Sequence, residues 1–308
     1  MLFIIIGVIV LLLIIYICNC AIVFNLIFKR KQEIPLTSID LSRTKYKDYE
    51  NEVKEYASFF DNIKPEIVEI KSYDDLILKG YYYKNTSNDL VIMFHGYRAT
   101  PLNNFSVIGK ELYQKGYSLL MVVERSHGIS EGKYISFGIN ESRDSHDWIQ
   151  YANEALNPHN IFLYGVSMGG AVILLNKSLN VEKNVRGIIA DCALDKSTHS
   201  VTYGLKRKLK FVPYLTVFGV LLIAKMKGIN FKDDKVYERV KNINIPILFI
   251  HGKNDDLIPI KNGRKVFENA NEPKMLIETD AYHAMSIYVE KELVISEVFN
   301  FINKYSEK

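Results

Sequence analysis

The sequence predicts an α/β fold: a mostly parallel central sheet with helices on both faces, a small helical cap and an N-terminal apolar helix. Three observations predict it. From residue 90 onward, short apolar strand-like runs alternate with helix-length segments, the rhythm of a parallel sheet. One of those runs, Ile161-Phe-Leu-Tyr-Gly-Val-Ser-Met-Gly-Gly170, passes from an apolar strand through a glycine-flanked serine into a helix-compatible stretch. Residues 193–242 then break the rhythm with a segment longer than an ordinary helix, as a cap insertion would. With 308 residues and 48% hydrophobic side chains, the chain has room for one such domain plus an appendage.

Taken in order, residues 1–28 carry no charged side chain and are almost purely β-branched residues and leucine through residue 18. About 20 such residues cross a bilayer as a helix. No Lys or Arg precedes the run and no small-residue cleavage site follows it, so an uncleaved anchor is expected rather than a signal peptide. Lys29-Arg30-Lys31 lies on its C-terminal flank, and the positive-inside rule places the following domain in the cytoplasm, the opposite topology being the alternative. Residues 29–62 read as a juxtamembrane linker with a short amphipathic helix at 44–60, and residues 63–308 as the α/β domain. Residues 67–71 and 76–83 are strands joined by a turn at 72–75. Further strands fall at 89–95, 117–123, 161–166, 187–190, 245–251 and 275–279, and a helix at 140–155 carries Trp148 on its apolar side.

Composition excludes several classes. The net charge of +4, with no basic stripe interleaved with aromatics, gives no nucleic-acid footprint. Cys18 and Cys20 lie in the apolar segment and Cys192 follows a strand; they form no disulfide framework and no metal-ligand spacing, so no cofactor or metal is expected. Cys192 reads as a buried core thiol, with a place lining the site as the alternative.

The chemistry-bearing residues cluster at predicted strand ends. Gly165-Val-Ser167-Met-Gly169 is G-x-S-x-G between strand and helix, a turn that exposes the serine hydroxyl and whose flanking positions have no room for a Cβ. A serine nucleophile needs a base, and the base an orienting carboxylate. Both occur downstream in the order Ser, Asp, His: Asp255 after the strand at 245–251, and His283 after the strand at 275–279. Asp256, and Asp191 and Asp195 after the preceding strand, are rivals for the acid. The oxyanion-hole donors are expected to be the backbone N–H groups of Met168, after the serine, and Tyr97, in the Gly96 turn after the strand at 89–95. Arg125, His127 and Ser130 read as a structural loop at the sheet edge.

On His95-Gly96-Tyr97-Arg98, on residues 125–134, on Gly165–Gly170, on residues 189–192, on residues 251–255 and on His283-Ala284, the chain resembles bacterial membrane-anchored α/β-hydrolases of the serine aminopeptidase-like and acyl-ester hydrolase group. The resemblance runs from about Tyr46 to the C-terminus. It implies the α/β-hydrolase fold and a Ser167–Asp255–His283 triad. Two positions depart from that pattern. Val123 stands where the family has an aspartate two residues before Arg125, which puts a structural ion pair in question. Tyr282 stands where it has glycine before the histidine, which would narrow the site or alter the His loop.

The expected function is hydrolysis of a carboxylic ester, thioester or amide through an acyl-enzyme, on a small-molecule or lipid-like acyl substrate. Acyl transfer by the same triad and a catalytically silent, membrane-tethered binding domain are the alternatives. The cap, apolar at 214–224 and basic at 205–210, is expected to pack on the core, with a lipid-facing lid as the second reading.

Overall fold

The computed structural model describes residues 1–31, 36, 47–181, 183–208 and 214–306. Eight strands form one sheet: β1 (Glu66–Lys71), β2 (Ile77–Tyr83), β3 (Leu90–Phe94), β4 (Ser118–Val123), β5 (Ile161–Val166), β6 (Val185–Asp191), β7 (Ile247–Gly252) and β8 (Lys274–Thr279). Their order is β1-β2-β4-β3-β5-β6-β7-β8. β1 and β2 pair antiparallel, β2 joins β4 antiparallel, and every pairing from β4 to β8 is parallel.

Burial on both sides explains the apolar runs. Along β3, Leu90, Ile92 and Phe94 face one core and Val91 and Met93 the other. The first core is covered by α4 (Glu141–Tyr151), α5 (Met168–Leu175), α8 (Val236–Arg239) and α9 (Ile260–Asn269), with Trp148 fully buried in it. The second is covered by α2 (Glu50–Ser58), α3 (Pro101–Gln114), α10 (Ser286–Val289) and α11 (Lys291–Tyr305). The amphipathic helix expected at 44–60 is α2, continued by a 3₁₀ turn at Phe59–Asn62. Residues 44–46 lie outside the described residues, a 3₁₀ turn at Lys47–Tyr49 precedes α2, and Val53 and Ala57 are its buried face.

The appendage and the cap meet each other. α1 (Leu2–Phe28) is exposed almost throughout residues 2–19, then buries Cys20, Val23, Phe24, Ile27 and Phe28. Those residues form a third apolar cluster with Val201 and Leu205 of α6 (Ser197–Lys208) and Val220 and Ala224 of α7 (Tyr214–Met226). The cap helices therefore pack against the N-terminal helix, where packing on the main core was expected. Tyr16 Oη donates to the Leu215 carbonyl at 2.7 Å. Gly219 lets the two helices close here: a Cβ on it would lie 2.5 Å from both Cys20 Sγ and Tyr16 Oη, and those side chains would have to shift. Of the basic stretch 205–210, residues 209 and 210 lie outside the described residues.

Parallel pairing fixes where the functional loops emerge. Val122, Phe94, Gly165, Ala190 and Phe249 sit abreast on neighbouring strands, so the loops after β3, β5, β6, β7 and β8 leave from one edge.

Candidate active site

The turn between β5 and α5 puts Ser167 at φ 56° and ψ −110°, a conformation L residues avoid and one that needs surrounding structure to hold it. That structure is tight. A Cβ on Gly169 would stand 1.8 Å from the Phe94 carbonyl oxygen, and one on Gly165 would stand 2.4 Å from the Gly169 carbonyl carbon. The Ser167 N–H donates to the Asp191 carbonyl of β6 at 2.8 Å.

The structure brings Ser167, His283 and Asp255 into contact. His283 Nε2 lies 2.8 Å from Ser167 Oγ, and His283 Nδ1 lies 2.7 Å from Asp255 Oδ2. An ionised carboxylate only accepts, so Nδ1 carries the proton and Nε2 presents its lone pair to the serine hydroxyl. Burial raises the Asp255 carboxyl, but hydrogen bonds involving His251 and His283 outweigh it and hold the group well below the usual carboxylate range. The Leu257 and Ile258 N–H groups also donate to Asp255 Oδ1, at 2.9 and 2.7 Å.

Tyr97 lies in a four-residue turn closed by the Ala99 N–H donating to the Gly96 carbonyl at 3.1 Å. The turn abuts the elbow: a Cβ on Gly96 would be 3.6 Å from Ser167 Cβ. Two buried imidazoles brace it. His95 Nδ1 donates to the Gly96 carbonyl (2.9 Å), and its Nε2 accepts from the Glu124 N–H (3.2 Å). His127 Nδ1 donates to the Arg125 carbonyl (2.9 Å), and its Nε2 accepts from the N–H of Arg98, itself left-handed at φ 58° (3.0 Å). Burial lowers both imidazoles, His95 to about 4, so each is neutral and can accept. Met168 opens α5, with its N–H at the positive end of the helix.

The rival acids sit elsewhere. Asp195 contacts His199 and Asn262, each at 3.0 Å, and Asp256 is exposed. Asp191 is buried behind the elbow and makes no side-chain bond to His283; burial pushes its carboxyl up to about 7. Val123 does not cost Arg125 its ion pair. The guanidinium is buried between Asp144 (2.5 Å) and Asp74 (2.8 Å), the latter supplied by the β1–β2 turn. Tyr282 is 49% exposed, at the surface of the histidine loop.

One feature was not read from the sequence. His251 Nε2 lies 3.4 Å from Asp255 Oδ2 and 2.8 Å from the Ile258 carbonyl, so a second imidazole braces the acid. The four-residue spacing in His251-Gly-Lys-Asn-Asp255 was the available signal. Cys192 is a buried thiol as expected, but its sulfur also lies within 4.8 Å of ligating atoms of Asp255 and His283. The same spacing holds for His95, Glu124 and His127. In that second group every imidazole nitrogen already carries a hydrogen bond, which leaves a metal ion no free nitrogen lone pair.

The fold and the elbow define a class, and comparison with known proteins agrees: the chain is an α/β-hydrolase, an enzyme of the hydrolase superfamily with an esterase-like fold. Residues 85–223 match the family described as serine aminopeptidase, S33. The chain is 26% identical over 236 residues to the uncharacterised protein YqkD of Bacillus subtilis, covering 75% of this chain and 76% of that one. It is 23% identical over 202 residues to the lysophosphatidylserine lipase ABHD12 of Danio rerio, covering 62% of this chain and 50% of that one. Among solved structures, the Pyrococcus furiosus esterase Pf2001 superposes with a TM-score of 0.67 at 25% identity, covering 80% of this chain and 94% of that one.

Proposed function

We propose that the protein is a membrane-anchored serine hydrolase that cleaves a carboxylic ester, thioester or amide of a lipid-like acyl substrate. The observation that carries this reading is the unbroken hydrogen-bonded chain from Ser167 Oγ through His283 to Asp255. His283 Nε2 takes the hydroxyl proton as Oγ attacks the acyl carbonyl. The Met168 and Tyr97 N–H groups stabilise the oxyanion, and Asp255 stabilises the imidazolium. His283 then protonates the leaving group and deprotonates the water that frees the acid and restores Ser167.

Two further observations favour a membrane setting. Residues 2–19 of α1 offer about 27 Å of exposed apolar helix at 1.5 Å per residue, close to the thickness of a bilayer core. α7 lies along that helix and turns Tyr214, Leu215, Phe218, Leu222 and Met226 outward. This puts the lipid-facing lid ahead of the plain cap. The name of the Danio relative, a lysophosphatidylserine lipase, favours a lipid ester in the same direction. Lys29-Arg30-Lys31 on the C-terminal flank favours a cytoplasmic catalytic domain.

The test is a panel of p-nitrophenyl esters of graded chain length beside aminoacyl anilides, on the full chain and on Ser167→Ala. The reading expects turnover that rises with acyl length and falls at least about a thousandfold in the variant. Turnover of short esters only removes the lipid-like substrate. Activity retained in Ser167→Ala removes the mechanism.

A further inference from the structure

The C-terminal end of a helix leaves carbonyl oxygens without intrahelical partners, and they must find donors elsewhere. At the end of α1 the donors come from two loops of the hydrolase domain. Tyr97 Oη donates to the Ile27 carbonyl at 2.7 Å. The Arg98 guanidinium donates to the carbonyls of Leu26 (2.8 Å), Ile27 (3.3 Å) and Lys29 (3.2 Å), a cation at the negative end of the helix. The Ile135 N–H takes the Phe28 carbonyl at 2.7 Å. The Tyr97 ring is clamped as well, stacked on Phe137 at 4.9 Å with the Arg98 guanidinium over its other face at 4.8 Å.

Tyr97 and Arg98 are also the centre of the turn beside Ser167. The peptide between Gly96 and Tyr97 is trans, so its carbonyl and its N–H point in opposite directions. His95 and Ala99 pin the carbonyl, and His127 pins the next N–H but one. The side chains of the same two residues are pinned by α1. The orientation of the Tyr97 N–H is therefore set from inside the domain by two imidazoles and from outside by the last turn of the N-terminal helix.

We propose that this last turn is a positioning element of the active site: by holding Tyr97 Oη and the Arg98 guanidinium, it aims the Tyr97 amide, so turnover depends on how α1 is seated. The inference rests on the serine-hydrolase reading above. It makes the N-terminal helix a structural part of the oxyanion hole as well as a tether, and it couples a displacement of that helix to the rate.

The test uses the full chain in detergent with a p-nitrophenyl ester, and kcat is normalised to active sites counted by complete fluorophosphonate labelling. Tyr97→Phe keeps the ring and the amide but removes the hydroxyl. Arg98→Met removes the three bonds to carbonyls. Lys29→Pro removes the Lys29 N–H bond to the Asn25 carbonyl and drives Phe28 out of helical geometry, displacing the last turn from the domain side. Loss of a whole oxyanion donor costs roughly a hundred- to a thousandfold in kcat, so misaiming one should cost about tenfold in each variant with KM within about twofold, because the contact forms only in the transition state. Arg98→Lys, which keeps a cation at the helix end, should recover part of the loss. Tyr97→Phe added to Lys29→Pro should cost nothing further, since the hydroxyl has then already lost its partner.

The inference is overturned if Tyr97→Phe and Arg98→Met turn over at the wild-type rate per labelled site. It is also overturned if the loss falls in KM, or if the Tyr97→Phe and Lys29→Pro losses multiply. A wild-type chain that neither labels nor hydrolyses would remove the underlying reading instead, and this inference with it.

Discussion

His95 and His127 on one side of the elbow, and His251 and His283 on the other, are four imidazoles with opposite surroundings. The first pair faces backbone carbonyls and N–H groups, beside a Glu124 carboxyl that burial, then Glu141 and Asp144, push well above the usual carboxylate range. The second pair faces the ionised Asp255. Burial without a counter-charge holds His95 near 4, against an ordinary value of 6.5. Between those two values the unfolded chain binds a proton at this residue and the folded chain does not. Folding stability therefore falls as pH falls through this window, by on the order of 3 kcal/mol for the group. Urea unfolding at pH 7 and at pH 4.5 measures it: the wild type should lose more stability between the two than His95→Asn. An equal loss in both chains contradicts the assignment of His95 as a neutral brace.

At the scale of elements, α1 forms where its sequence predicts, and its docking against α7 is what the two sequences do not show. α1 buries residues 20, 23, 24, 27 and 28, a regular helical stripe, but its sequence is apolar all round and the stripe leaves no contrast to read. α7 hides its docking face for the same reason, and only Gly219 marks where Tyr16 and Cys20 come close. If α1 sits in a bilayer, the outward face of α7 beside it meets acyl chains. Phe218→Trp tests this against a parent whose one tryptophan, Trp148, is fully buried. In vesicles with brominated acyl chains the added fluorescence should be strongly quenched, while the parent signal is not. Unquenched fluorescence at residue 218 would place α7 outside the hydrocarbon.

The sheet and the candidate site were more legible. β5 and β7, buried on both faces, read as continuous apolar runs, and Ser167 and Asp255 follow them by a few residues; His283 follows β8, whose burial is only partial, so local pattern and chain order singled out the three as candidates. What escaped depends on contacts between distant segments. Arg125 finds Asp74 across 51 positions, and Tyr97 Oη finds Ile27 across 70, neither of which leaves a trace in nearby spacing. The Val123 departure pointed to a missing ion pair because only the local position was visible, whereas the fold supplies the acid from the turn after β1.

For the whole molecule, the parallel sheet is what turns scattered residues into a site. β3, β5, β7 and β8 end at one edge, and the loops leaving them carry an amide turn, a strained serine, a braced carboxylate and an imidazole to the same place. The helix that leads into this domain then fastens to the turn that carries the amide. The proposed chemistry stands on the reactivity of a single hydroxyl, which covalent labelling reads most directly. Full-length protein treated with a fluorophosphonate and mapped by mass spectrometry should carry one adduct, on Ser167, and Ser167→Ala and His283→Ala should carry none. An adduct elsewhere, or wild-type protein that stays unlabelled while folded, would contradict it.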